Sequence, residues 1–136
     1  EVAWIEDLTK SNHIASDRFD CILCIHAAQT VINVEPAIGE LFRILKPGGV
    51  LLIAAPLVSG YGLQCRDLCR LTPKGMEVLL SRSFGPDQII VRSYGNSLTA
   101  AGEIRGSTES EFLRGELENH DPRFPVEVCA RAQKPT

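Results

Sequence analysis

The stretch FRILKPGGVLLIAAP (Phe42–Pro56) decides the fold class of this 136-residue chain. It closes an amphipathic pattern, turns on Pro-Gly-Gly and runs into an apolar segment. Upstream, Val34, Ala37, Ile38, Leu41, Phe42 and Leu45 recur at helical spacing, with Glu35, Glu40, Arg43 and Lys46 facing water. Asn33 can cap that helix, and Pro36 is tolerated in its first turn. Gly39 weakens it, by up to about 1 kcal/mol relative to Ala. Pro47 and Gly48 suit the two central positions of a type II turn, so the helix is expected to end there. Val50 to Ala55 then reads as a strand buried on both faces, and so does FDCILCI (Phe19–Ile25). Strand, helix, strand in this order predicts a right-handed crossover between parallel neighbours, and hence an α/β sheet.

Working outward, Val2 to Ile5 is short and β-like, and Lys10 to Arg18 is polar and reads as a loop. Leu57 to Arg70 is longer than a connection needs to be, as functional loops often are. Thr72 caps and Pro73 starts a helix with Met76, Leu79, Leu80 and Phe84 on one face. Gln88 to Tyr94 is a strand, Tyr94-Gly95-Asn96 ends it and caps a short helix over Ser97 to Ile104, and Glu109 to Leu117 has weak helical character. His120 to Pro125 is a rigid loop. Val126 to Arg131 alternates apolar and polar, as an antiparallel strand with one wetter face should.

The length suits one domain over residues 1–136, and 44% hydrophobic with 23% charged residues is a globular composition. A net charge of -3 supplies no electrostatic reason to bind nucleic acid or an anionic membrane. The longest apolar run, Gly48 to Val58, is too short to span a bilayer. The chain opens at Glu1 without an initiator Met, as expected of a fragment or a processed piece. Five cysteines, mostly in apolar surroundings, are expected to be buried reduced thiols of a cytoplasmic protein. Cys21 and Cys24 lie three apart in a strand and so point to opposite faces, which argues against a redox or zinc pair. No metal is expected.

Four ordered stretches carry a family resemblance: EDLT (Glu6–Thr9), DRFDCILCIHAAQTV (Asp17–Val31), ELFRILKPGGVLLIAAP (Glu40–Pro56) and RLTPKGMEVLL (Arg70–Leu80). The chain resembles the C-terminal half of a class I S-adenosylmethionine-dependent methyltransferase of the type-11 group. VRSYGNSLTAAGEIRG and FPVEVCARAQKP are similar to the tail of a subgroup sometimes found beside glycosyltransferases. The resemblance implies a partial Rossmann-like methyltransferase fold: strands four to seven of the family order 3-2-1-4-5-7-6, mostly parallel with an antiparallel last strand. Nothing upstream of Phe19 matches the family's Gly-rich cofactor loop or the acidic residue that follows its second strand. The resemblance therefore implies half a pocket, an isolated chain without activity, and an exposed edge on the family's fourth strand. That edge would suit self-association or a missing N-terminal half.

Ligands of open α/β sheets lie beyond the carboxyl ends of the strands, here just after Ile25 and just after Ala55. The resemblance implies S-adenosylmethionine as donor and a small-molecule or glycan-linked acceptor. Asp7 and Leu8 match the family's adenine position, although a surface Asp capping the next loop explains Asp7 equally. Cys24, Ile25 and His26 end the strand that lines the methionine side. His26 reads either as a base toward a hydroxyl acceptor or as a strand-end side chain bonded to backbone. Gln29 and Thr30 either contact the acceptor or start a turn, and Thr30 stands where relatives often carry His. Arg70 is a further candidate for the acceptor, in a CRLT run where the subgroup has aromatic residues.

Overall fold

The computed structural model describes residues 8–9, 13–60 and 67–136. Its sheet has four strands: β1 (Phe19–Ile25), β2 (Leu45–Pro56), β3 (Ile89–Tyr94) and β4 (Glu127–Gln133). They lie in the order β1-β2-β4-β3, with β1 parallel to β2 and β4 antiparallel to both its neighbours. Helix α1 (Val34–Ile44) connects β1 to β2, and α2 (Pro73–Phe84) lies between β2 and β3 in sequence. The two apolar segments therefore pair as expected, parallel and joined by a helix. The expected strand over Val2 to Ile5 lies outside the described residues.

Residues alternate across a strand, so the register defines two faces. One holds Leu51, Ile53, Ala55, Val128, Ala130 and Ala132, all buried against Ile38, Leu41, Met76, Leu80 and Phe84 of α1 and α2. The other carries Leu23, Leu52, Arg131 and Ile90 in one row and Ile25, Ala54, Cys129 and Arg92 in the next. No helix covers this second face among the described residues. Leu23 is 67% exposed and Ile25 54% exposed. The expectation that Phe19–Ile25 is buried on both faces is thus corrected. Among the described residues the strand is at the sheet edge, and only its α1 side is covered. Cys21 is exposed for the same reason, while Cys24 points the other way and is buried. Of the described cysteines only Cys24 is fully buried, contrary to the expectation drawn from their apolar neighbours.

The Pro-Gly-Gly junction also differs in detail. Helix α1 stops at Ile44, and Leu45 already pairs with Phe19. The register then shifts, so that Pro47 to Gly49 bulges out before Val50 rejoins the ladder opposite Cys21. Gly48 takes φ 75°, and its N–H donates to Lys134 O at 3.0 Å. Lys134 in turn closes the C-terminal end of α1. Its Nζ donates to Phe42 O at 3.0 Å and Leu45 O at 2.8 Å, placing a cation where the helix leaves carbonyls unpaired. Arg18 N–H donates to Ile44 O at 2.8 Å, and Arg43 Nη2 donates to Ile14 O at 2.8 Å. These bonds fold residues 14–18 over α1, so Glu40 and Arg43 are half-buried partners rather than a face open to water. Asn33 occupies the cap position of α1 without a side-chain bond to it.

Thr72 accepts from Gly75 N–H at 3.0 Å and caps α2 as expected. Asn96 does more than its local sequence implies. Its Oδ1 accepts from Leu98 and Thr99 N–H at the start of α3 (Ser97–Arg105). Its Nδ2 donates to Glu116 O and Asn119 O, both at 2.7 Å, anchoring α4 (Arg114–Glu118). The preceding Gly95 has φ 110°, and a Cβ there would sit 2.8 Å from Val126 Cβ and 3.0 Å from Val126 N. Because the obstruction includes backbone, Gly95→Ala is expected to cost about 2–4 kcal/mol in denaturant unfolding, combining backbone strain with overpacking. A loss below about 1 kcal/mol would show that the turn can rearrange freely.

Candidate functional site

The carboxyl ends of β1, β2 and β3 and the amino end of β4 meet at one end of the sheet. His26 follows β1 with φ 50°, a left-handed conformation uncommon for a residue with a side chain. Its N–H still donates to Ala54 O at 2.9 Å, so the backbone turns only after the last rung. The imidazole Nε2 lies 3.1 Å from Glu127 Oε1, across β2. Of the two sequence readings of His26, a side chain merely bonded to backbone is not what is found.

The 3₁₀ turn Ala28–Thr30 follows. Thr30 Oγ1 donates to Ala27 O at 2.8 Å, engaging its hydroxyl within its own turn. Gln29 is only 5% exposed and donates from Nε2 to His26 O at 3.0 Å. Its carbonyl accepts from Leu68 N–H at 2.7 Å, tying the end of β1 to the connection after β2. Its Oε1 is buried and has no hydrogen-bond partner among the described residues. Arg70 Nη2 pairs with Asp67 Oδ2 at 2.8 Å, while its Nη1 is likewise buried and without a partner among the described residues. A buried polar atom without a partner costs about 1–3 kcal/mol. Gln29 and Arg70 each carry one, and their backbones are joined through the segment 67–70.

Leu8, Cys24 and Ile25 line one groove of about 360 Å³ beside β1, the outermost of the described strands, together with Phe19, Ile22 and Leu41. Three sequence candidates for the cofactor therefore share a wall, whereas His26 is not part of it. Asp7 lies outside the described residues. Burial pushes the Cys24 thiol above its ordinary range, which keeps it protonated and poorly nucleophilic. A second groove, of about 400 Å³, lies on the uncovered face between Ile25, Leu52, Ile90, Arg92, Tyr94 and Cys129. A larger surface hollow among Thr108, Glu109, Phe112, Arg114 and Leu117 includes no residue of the strand ends.

The edge groove is apolar throughout. It could wall the adenine or thioether part of S-adenosylmethionine. Among the described residues it presents no side chain for ribose hydroxyls or for the amino-acid end. These residues thus fit one side of the cofactor and do not hold the whole of it.

Sequence reasoning missed Glu127. Its signal was present in VEVCAR: the last strand runs antiparallel, so its first outward residue arrives where β1 and β2 leave. The other missed feature is the pair of orphaned atoms on Gln29 and Arg70, for which the sequence holds no signal.

A parallel β-α-β pair followed by a third strand and an antiparallel last strand inserted beside β2 defines strands four to seven of a Rossmann-like methyltransferase sheet. Residues 3–53 match the family model described as a methyltransferase domain. No curated protein matches the chain in sequence. Among solved structures, one similar chain comes from the complex of the Haloferax volcanii Trm112 methyltransferase activator with a candidate methyltransferase. It shows 15% identity and a TM-score of 0.63 over 98% of this chain and 60% of that one. Haemonchus contortus phosphoethanolamine N-methyltransferase 2, with phosphomonomethylethanolamine and S-adenosylhomocysteine, gives 16% and 0.62 over 96% and 36%. An S-adenosylmethionine-dependent methyltransferase from Archaeoglobus fulgidus gives 12% and 0.61 over 95% and 66%. The resemblance to class I methyltransferases read from the sequence therefore holds for the fold. The chain spans about a third to two thirds of these neighbours' lengths. No described helix is long and apolar enough to cross a membrane.

Proposed function

We propose that this chain forms the later-strand part of an S-adenosylmethionine-dependent methyltransferase. It would act in the cytoplasm on a small-molecule or glycan-linked acceptor rather than on nucleic acid. The observation that carries this reading is the parallel β1–β2 pair with His26 at its exit, within a segment matching a methyltransferase domain. Leu8, Cys24 and Ile25 would form one wall for the donor, with Asp7 beside Leu8. The unpartnered atoms of Gln29 and Arg70 would meet polar groups of the acceptor, and Thr30 would support the turn.

The donor site is completed, on this reading, by polypeptide that adds beyond β1. Right-handed crossovers leading away from β1 in one direction put α1 and α2 on one face. Helices for the uncovered face come from units added at the opposite edge. A missing N-terminal half supplies them directly. A second copy supplies cover without a Gly-rich loop, which is the alternative reading of a non-catalytic module. The exposed Leu23 and Ile25, beside an edge that no described strand pairs, favour association under either reading.

Calorimetric titration with S-adenosylmethionine separates them. The 136-residue chain is expected to give negligible heat, and a version carrying further upstream sequence a saturable signal. Tight binding by the shorter chain would overturn the half-site reading, and no binding by either would leave the non-catalytic module.

A further inference from the structure

Two groups meet at the strand exits from positions 101 residues apart in sequence. His26 leaves β1, and Glu127 enters β4 opposite Pro56 of β2 and Tyr94 of β3. With one strand between them, their backbones are roughly 10 Å apart. Ala54 and Pro56, the residues beneath, are short enough for the two side chains to meet above them.

A carboxylate only accepts hydrogen bonds, so the 3.1 Å contact requires the proton on Nε2. In a neutral imidazole that leaves Nδ1 with the lone pair, and Nδ1 makes no hydrogen bond among the described residues. We propose that Glu127 is a positioning residue that holds His26 as the Nε2–H tautomer, with Nδ1 as the proton-accepting atom at the strand exits. An acceptor hydroxyl or ammonium group placed there would pass its proton to Nδ1. Its own oxygen or nitrogen would keep the bonding pair, and the imidazolium would remain paired with the Glu127 carboxylate. The backbone supports this placement. The left-handed turn at His26 and the Gln29 Nε2–H bond to its carbonyl at 3.0 Å hold the residue against the last rung of the ladder. Arg92, Tyr94 and Cys129 are the titratable or charged groups on the adjoining rows of the face. Burial and the Glu127 charge both push the Cys129 thiol up, so it stays neutral beside the pair.

The catalytic meaning of the lone pair rests on the methyl-transfer reading; the tautomer does not. It is read by two-bond nitrogen–proton correlation on ¹⁵N-labelled chain above pH 8, without donor or acceptor. His26 is expected to show the one-sided pattern of a fixed Nε2–H form. In Glu127→Ala that pattern is expected to collapse to the exchange-averaged one of an unconstrained histidine. Glu127→Gln is expected to restore it, since the amide oxygen still accepts. An Nδ1–H pattern or an averaged pattern in the unmodified chain would overturn the proposal, and so would a pattern unchanged in Glu127→Ala. Absence of S-adenosylmethionine binding by the version carrying further upstream sequence, as well as by the shorter chain, would remove the methyl-transfer reading and leave the tautomer result standing.

Discussion

Phe84→Ala is expected to lower unfolding stability by about 3–5 kcal/mol, with the denaturation midpoint falling accordingly. Phe84 ends α2 on the face turned to the sheet and is fully buried. Its ring meets Phe42 of α1 edge-on, with centroids 5.0 Å apart, so one side chain joins both helices. Phe42 in turn lies beneath Lys134 Nζ at 4.7 Å, the group that closes α1. Truncation therefore leaves a cavity and loosens the helix cap behind it. A single domain has only about 5–15 kcal/mol in total. Among the described residues one face of this chain's sheet has no helix over it, so the core on the other face carries the fold. A measured loss under about 1.5 kcal/mol would mean that α1 and α2 repack without the ring.

The second large effect concerns association. The double change Leu23→Glu and Ile25→Glu is expected to weaken self-association, or docking of a completing polypeptide, by 100-fold or more. Burying each side chain in an interface is worth about 1.5–3 kcal/mol, and each 1.4 kcal/mol is a factor of ten. Sedimentation of the unmodified chain should show dimers or larger species at tens of micromolar, and the variant should run as a monomer. The fold itself should be little affected, since both side chains point into solvent in the isolated chain. Ile104→Glu is the control, because Ile104 is equally open on α3 but belongs to no sheet face. A clean monomer before any change, or an equal effect from Ile104→Glu, would rule out the sheet as the sticky surface.

Much of the architecture was legible because it rests on local periodicity. Met76, Leu79, Leu80 and Phe84 recur at helical spacing, and each is buried where that spacing put it. Thr72 and Asn96 cap because their side chains meet backbone within three residues. The alternation in VEVCAR correctly marked an antiparallel strand with one wetter face. The edge position of Phe19–Ile25 was not legible in the same way. An apolar run shows that a strand needs cover on two faces; it carries no information on whether both covers lie within the chain.

The amino-acid sequence by itself determined the order of elements, the parallel crossover and the likeness to a methyltransferase sheet, because spacing, caps and turns act over a few residues. Only the tertiary structure decided which face of that sheet stands open, that Lys134 closes α1, and that Glu127 reaches His26. Those outcomes depend on strands brought together from far apart in the chain; the alternation in VEVCAR gives the side on which Glu127 stands, and no short window of sequence names the residue it meets there.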